Sequence, residues 1–516
     1  MKQIPLPDGH QEITKKSLTV RSPLWLDGAV LQRDMPLPLW GCAPVGSHVS
    51  VEFGSHRWSI GADAQGNWRL EIGPLSPGGP YHLTVACGEE IVILRDLLVG
   101  DVWFCAGQSN MEFPLRDAED AADALADADN FSLRLAQVPV RVADVPQATV
   151  TGTCWKSSNA QSAAEFSAVA YYFGQHLQRQ LGLPIGLVQA TRGATPAEAW
   201  MSHAAVASDV DFAPILQRRQ YSLSIFPDAA GVVAAAFSEW DAATDAAERE
   251  GRPLPGPQPK LVGPGHPWTP GGLYNAMIAP LAAFPIRGVV WYQGAAAPER
   301  AFQYCKLFRA LIRDWRDSRG CDSPFLFVQE AAFGPRRDQP AENSWAELRE
   351  AQQMALAEPN TAMVVALDCG DATDIHPPRK RPIGERLGLA ARETVYGEPI
   401  NGLSPLFRSM TIEGNRVRIQ LDNTYGALRT LDGVPPRGFT VSAGSGDFSK
   451  GHRGFVWAQA RIEGDEVVVW SNAVPRPVAV RYAWAQNPDA NLCNVVGLPC
   501  APFRSDDYPG ITVDVR

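Results

Sequence analysis

From about residue 99 to residue 401 the chain repeats one pattern: a short apolar run, a polar turn, then a segment with helical periodicity. DVWFCAG (101–107), PIGLVQA (184–190), IRGVVWYQG (286–294), PFLFVQEAAF (324–333) and TAMVVALD (361–368) are dominated by apolar residues and do not alternate. Strands with one wet face alternate, whereas strands covered on both faces read as continuous apolar runs. FSAVAYYFGQHLQRQLG (166–182) and YCKLFRALIRDWRD (304–317) space their apolar residues as helices do, and the first closes on a glycine. Strand alternating with helix over this length predicts an α/β fold built on a parallel sheet.

Both flanks read differently. In residues 18–98, VSVEF (49–53), WRLEI (68–72), YHLTVA (81–86) and EIVILRDLLV (90–99) are short runs separated by Gly/Pro turns, the pattern of a β-sandwich-type module. After about residue 402, SMTIEGNRVRIQLD, GFVWAQARIEGDEVVVWS and VAVRYAW alternate as strands, and IEGNRV and IEGDEV carry hairpin turns. The expected division is a polar tail (1–17), an N-terminal β module (18–98), the α/β unit (99–401) and a C-terminal β module (402–516). Residues 206–270 interrupt the α/β pattern with the helix-like DAATDAAEREG and the Pro/Gly-rich PLPGPQPKLVGPGHPWTPGG. This is a long insertion beside the sheet's carboxyl edge, placed to serve as a pocket wall.

Composition removes several classes of function. Hydrophobic residues at 45% and charged residues at 20% support ordinary cores, and 45 Gly with 43 Pro require dense turns. A net charge of -10, from 46 basic and 56 acidic residues, argues against tracking a phosphate backbone. No run approaches the ~18 apolar residues of a membrane span. Met1–Lys16 is polar and lacks a basic-then-apolar leader, so either the protein stays inside the cell or a leader precedes the numbering. The nine cysteines are scattered without a CxxC pair, which speaks against zinc. Cys493 and Cys500 are near enough in sequence to bridge; buried free thiols are the alternative.

Ligands of an open α/β sheet bind outside the carboxyl ends of its strands. Four such ends carry suggestive residues. AGQSNMEF (106–113) presents Ser109 just after Gly107, although Ser109 and Glu112 also have capping-box spacing. DATDIHPP (371–378) follows the last strand. Asp374 and His376 share one side of an extended loop, so Asp374 can orient an imidazole that acts as base for a serine. A surface histidine beside a turn is the alternative. ATRGATPAEAW (190–200) reads as a helix start at Thr195, Pro196 and Glu198, with the Gly193 N–H aimed at a developing oxyanion. VVWYQGAAAPER (289–300) ends in Gln293, Gly294 and three alanines. Together these predict acyl transfer to water by an activated serine. The chain order is Ser, Asp, His, and no GxSxG elbow surrounds the serine, unlike the α/β-hydrolases. Trp103 and Trp291 fall on buried strands, which leaves Trp200 and Trp268 as pocket candidates for stacking on a sugar.

These blocks resemble the sialate O-acetylesterase-like carbohydrate esterases of the SGNH (GDSL-like) hydrolase superfamily. The likeness covers nearly the whole chain. LWLDGAVLQRDMPLPLWGCAPVG (24–46) is similar to the family's amino-terminal β module, GDVWFCAGQSNME (100–112) to its nucleophile block, and PIGLVQATRGATPAEAW to its second block. DATDIHP is similar to its last block and RYAWAQNPDANLCNVVGLPCAPFRSD (481–506) to its carboxyl-terminal signature. The resemblance implies a flavodoxin-like SGNH sheet, with Ser109 as nucleophile, His376 as base and Asp374 as its partner. It places the N–H groups of Ser109 and Gly193 in the oxyanion hole, with no metal and no cofactor. It implies an acetylated carbohydrate substrate, either sialic acid or a plant polysaccharide such as xylan or xyloglucan, and a periplasmic or secreted setting. Gln108, Asn110, Arg192 and Gln293 are the substrate-binding candidates. One block departs: where the family reads WYQGE(S/A)N, this chain reads WYQGAAA, with Ala295 at the acid position and Ala297 at the asparagine position. That asparagine supplies an oxyanion donor, whose loss typically costs about 100- to 1000-fold in turnover. Gln293 or Arg192 could substitute, or the loop could serve another substrate. Arg192 itself replaces an aromatic residue. The three alanines also fit a sugar-binding protein on a weakened esterase fold.

Overall fold

A computed structural model describes residues 16–225, 265–444 and 454–516, with isolated positions between 235 and 243. The helix expected over DAATDAAEREG and the proline-rich run up to residue 264 fall almost wholly outside the described residues. The central sheet is formed by β1 (Glu90–Gly107), β2 (Asn130–Gln137), β3 (Trp155–Ser158), β4 (Ile185–Thr191), β5 (Gly288–Tyr292), β6 (Phe325–Gln329) and β7 (Thr361–Val365). They lie in the order β3-β2-β4-β1-β5-β6-β7. Every neighbouring pair is parallel except β3, which runs antiparallel along the β2 edge. The chain is an α/β fold on a mainly parallel sheet, with further sheet modules at both ends.

β1 is 18 residues long. Its first half pairs antiparallel with Gly78–Cys87, and its second half pairs parallel with β4 and β5. The 98/99 boundary expected from composition therefore lies inside one strand, within a sheet of 11 strands. The sequence shows why. EIVILRD alternates between exposed and half-buried positions, whereas LLVGDVWFCAG is buried throughout. The same strand passes from a sheet with one wet face to a sheet covered on both faces. A separate three-stranded sheet of Thr19–Val20, Leu37–Cys42 and Asn67–Ile72 completes the N-terminal module.

Two helical layers cover the parallel strands. α1 (Ser109–Glu112) is a single turn after β1. α2 (Ala168–Leu181) is capped by Ser167, whose hydroxyl accepts from the Ala170 N–H, and stops at Gly182 with φ 65°. α3 (Ala301–Arg319) stops at Gly320 with φ 65°. α4 (Ser344–Gln353) is capped by Asn343, and α5 (Arg381–Thr394) follows the last strand. α2 and α5 share an apolar cluster with Trp103, Leu187, Val290, Leu326 and Val364. On the other face, Phe308 and Trp315 of α3 pack against Phe104, Trp291 and Phe325. Trp103 and Trp291 are core residues, as expected.

Two local expectations are corrected. Trp200 is fully buried, and its indole N–H donates to Thr195 Oγ1 at 2.9 Å, so it is core and not pocket. The helix start at Thr195–Glu198 is a single 3-10 turn, Ala197–Trp200, without a side-chain cap; the Thr195 hydroxyl donates instead to the Arg192 carbonyl.

Both C-terminal hairpins form, pairing Leu406–Glu413 with Arg416–Asp422 and Gln459–Glu463 with Glu466–Trp470. α4 clamps this module. Arg349 donates to the carbonyls of Ala485 and Gln486 at 2.7 and 2.8 Å, and the Glu347 carboxylate accepts from the amides of Ile511 and Thr512. Cys493 and Cys500 are both free thiols; the sulfhydryls point to the Arg429 and Ala501 carbonyls. Among the described residues no helix is long and apolar enough to cross a membrane.

Candidate active site

Register builds the site. Gly107, the last residue of β1, lies opposite Thr191 of β4 and Tyr292 of β5. Three consecutive strands thus release their loops at one level, and Ser109, Gly193 and Gln293 emerge together. Gly107 has φ 145°, and a Cβ there would stand 2.1 Å from the Tyr292 carbonyl oxygen, so only glycine fits. The chain then turns at once: Gln108 N–H donates to that carbonyl, and the amides of Met111 and Glu112 donate to Gln108 O. Ser109 opens α1, where first-turn N–H groups have no acceptor within the helix.

Ser109 Oγ lies 2.8 Å from His376 Nε2. His376 sits on the loop after β7, which Asp371 shapes by accepting from the Thr373 amide, the Thr373 hydroxyl and the Asp374 amide. The Asp374 carboxylate accepts from the backbone N–H of His376 at 2.7 Å and stands 3.9 Å from Nδ1. That is too long for a hydrogen bond. Burial first, and the Lys380 charge second, hold the imidazole below its ordinary value of 6.5, while Asp374 opposes them. A neutral imidazole against a serine hydroxyl is the pairing a general base needs. The capping-box alternative fails. Ser109 Oγ faces His376, the Glu112 carboxylate accepts from the Gly193 N–H at 2.5 Å, and Gln108 is the N-cap of α1.

The other expected residues divide. Gly193 lies against the nucleophile, for a Cβ on it would stand 3.4 Å from Ser109 Cβ, yet its N–H is held by Glu112. Asn110 is buried; its amide donates to the Ile375 carbonyl at 3.1 Å and its oxygen accepts from Lys380 Nζ at 2.5 Å. Gln293 is also buried, donating to Thr195 O and accepting from the Tyr304 hydroxyl. Asn110 and Gln293 thus tie neighbouring segments of the scaffold together. Gln108 is buried, and among the described residues its Oε1 has no hydrogen-bond partner. Arg192 is half-buried near His266, and burial, then the Arg192 charge, bring that imidazole down to about 4.

The alanine segment is a tight turn in which Ala297 N–H donates to Gly294 O at 2.7 Å. Ala295 N–H donates to Glu330 Oε1 at 2.8 Å, and burial raises the Glu330 carboxyl to about 7. Beside the turn opens a cleft of about 760 Å³, lined by the three alanines, Pro196, Arg218, Tyr221 and Trp268. The helix Ala213–Ile225, at the start of the insertion, supplies Arg218 and Tyr221. The described part of the insertion is thus a cleft wall. The Trp268 indole donates to the Ala194 carbonyl, joining that wall to the turn at Gly193. Sequence reasoning did not single out Lys380 or Glu330, and it weighed Glu112 only as a cap.

Comparison with known proteins finds carbohydrate esterases. The family described as carbohydrate esterase, sialic acid-specific acetylesterase, matches residues 264–392, a span that holds Asp374 and His376. A sialate O-acetylesterase of Rattus norvegicus is 29% identical over 514 residues, covering 90% of this chain and 90% of its own. That of Homo sapiens is 27% identical over 413 residues, covering 73% of this chain and 69% of its own. The crystal structure of a carbohydrate acetylesterase from Xanthomonas citri superposes with a TM-score of 0.79 at 37% identity, covering 95% of this chain and 100% of that one.

Proposed function

The chain belongs to the sialate O-acetylesterase-like carbohydrate esterases, and we propose that it removes O-acetyl groups from sugars through an acetyl-serine formed on Ser109. The observation that carries this reading is the Ser109 Oγ–His376 Nε2 contact of 2.8 Å at the carboxyl edge of the sheet.

Ser109 Oγ attacks the acetyl carbonyl while His376 Nε2 takes its proton. The tetrahedral oxyanion accepts from the N–H groups of Ser109 and Gly193, which requires the Glu112 carboxylate to leave the Gly193 amide. The C–O bond to the sugar breaks, and His376 protonates the departing alcohol. Water then attacks the acetyl-serine with His376 again as base, releasing acetate and restoring the hydroxyl. Asp374 stabilises the imidazolium by charge, and closing its 3.9 Å separation to a hydrogen bond would fix the Nδ1 tautomer. Ala297 supplies no side-chain donor at this place and the Gln293 amide is held by Thr195 O, so the oxyanion hole in this reading rests on the backbone N–H groups, with Arg192 the remaining side-chain candidate. The cleft beside the alanines takes the sugar, with Trp268 as its aromatic wall.

The deciding measurement is acetate release by wild type and Ser109→Ala from an activated aryl acetate, acetylated sialic acid and acetylated xylo-oligosaccharides. Activity abolished in Ser109→Ala supports the mechanism, and the preferred sugar names the substrate. Wild type no faster than the variant on every ester would leave a sugar-binding protein on an esterase fold.

A further inference from the structure

Lys380 is fully buried directly behind the nucleophile. Its ammonium lies 4.7 Å from the Phe113 ring centroid and 5.9 Å from that of Tyr292. The hydrogen-bond acceptor it meets is Asn110 Oδ1, at 2.5 Å. Among the described residues no carboxylate lies within ion-pair distance of it. A buried ammonium with a single acceptor and two ring faces is expensive to desolvate. That cost is offset only by what the ammonium contacts.

What the charge does follows from its partner. Asn110 is the residue after Ser109, and its amide donates to the carbonyl of Ile375, the residue before His376. The chain of contacts Lys380–Asn110–Ile375 O runs parallel to the Ser109–His376 contact, one residue away on each segment. Lys380 fixes which end of the Asn110 amide faces inward, because an ammonium only donates and so selects the oxygen. The NH₂ end must then face the histidine loop. We propose that Lys380 is a positioning residue for acyl transfer, holding the Ser109 turn and the His376 loop in register through Asn110. This rests on Ser109 and His376 being the reacting pair.

The same charge bears on His376. The groups facing Lys380 are Glu330 after β6, Cys369 and Asp374 after β7, and Tyr292 at the end of β5. Those acting on His376 are Lys380 and, in the opposite sense, Asp374. Burial, partly offset by Glu330, brings the ammonium down to about 7, so below neutrality Lys380 is charged. In that range the imidazole titrates against a positive neighbour. Deleting the charge makes protonation of His376 easier, and the acid limb of kcat/KM must move to higher pH.

The test is steady-state kinetics of Lys380→Met and Asn110→Ala on an activated aryl acetate across pH 4–9, with thermal unfolding measured alongside. Lys380→Met should lower kcat by roughly 10- to 100-fold, the scale of a 1 Å misplacement, leave KM within about twofold, and shift the acid limb upward. Asn110→Ala should lower kcat similarly with the limb unmoved, because the charge remains. A folded Lys380→Met with wild-type kcat, or with lowered kcat and an unmoved limb, overturns the proposal. Should Lys380→Met not fold, wild-type kcat in Asn110→Ala overturns it instead. Ser109→Ala as an active control would mean that the underlying mechanism has failed, which is a separate result.

Discussion

Glu112 holds the backbone amide proposed to receive the substrate oxyanion. Its carboxylate accepts from the Gly193 N–H at 2.5 Å, and a Cβ on Gly193 would lie 3.0 Å from the same oxygen. A hydrogen bond from an amide to a carboxylate contributes about 1.5–3 kcal/mol. Substrate must replace it before Gly193 can stabilise a tetrahedral intermediate. Glu112→Ala is therefore expected to raise kcat/KM for a small aryl acetate, by up to roughly 10- to 150-fold if all of that energy is released. Stopped-time acetate assays at fixed pH read this directly. A fall in kcat/KM would mean instead that Glu112 orients the ester, and that the Gly193 amide is not its competitor. Because the asparagine donor is absent at Ala297, the backbone amide that Glu112 holds has no side-chain substitute in that turn.

At the scale of elements, the site exists because β1, β4 and β5 end in register, and Gly107 is where that register is tightest. Gly107→Ala forces a Cβ to within 2.1 Å of the Tyr292 carbonyl oxygen at φ 145°. The strand end has to shift, and with it Ser109 two residues on. The expected result is loss of about 100-fold or more in kcat together with a lower unfolding temperature; a variant of unchanged Tm and kcat would show that the β1–β5 contact is softer than the geometry requires. Solid apolar runs made the parallel strands legible in the sequence, and Gly182 marked a helix end that the structure places at φ 65°. The Ser109 and His376 segments were legible as strand ends bearing a nucleophile and a base. Three things were hidden, each for a physical reason. Trp200 looked like a pocket ring because indole on a loop fits either environment, and only the Thr195 hydroxyl behind it assigns it to the core. The passage of β1 through the module boundary was hidden because a change in burial along one strand reads as a change of domain. Lys380 passed unnoticed although it carries a signal: Arg379, Lys380 and Arg381 stand at the amino end of α5, where the helix dipole disfavours cations. A cation in that position needs another reason to be there.

For the molecule as a whole, Asp101 is the residue through which the N-terminal module, the sheet and the helical layer meet. It lies in β1, with no side-chain exposure. Oδ1 accepts from Gln32, Arg33 and Arg287, and Oδ2 accepts from Arg33 and the Tyr396 hydroxyl. Gln32 and Arg33 belong to the N-terminal module, Arg287 precedes β5, and Tyr396 follows α5. Burial alone would raise this carboxyl, but Arg287 and then Arg33 hold it below its ordinary 3.8. A depressed carboxyl stabilises the fold at every pH above its unfolded value, and that contribution is lost as pH falls through the folded value. Asp101→Asn removes the charge and turns one acceptor oxygen into a donor facing other donors. Breaking a buried pair this way costs about 3–5 kcal/mol. The low end is expected here, since Asp34 remains 2.7 Å from Arg33 as a partial partner. Urea unfolding at pH 7 should show that deficit, and the gap from wild type should close as pH drops below 3.8, where the unfolded carboxyl protonates while the native one, held lower, stays charged. A deficit that stayed constant down to pH 2.5 would assign the loss to packing rather than charge. The Ser109 turn lies at the far end of the same strand, so kcat below the unfolding temperature should remain near wild type: the hub holds the modules to the sheet, while the register of β1 with β4 and β5 holds the site.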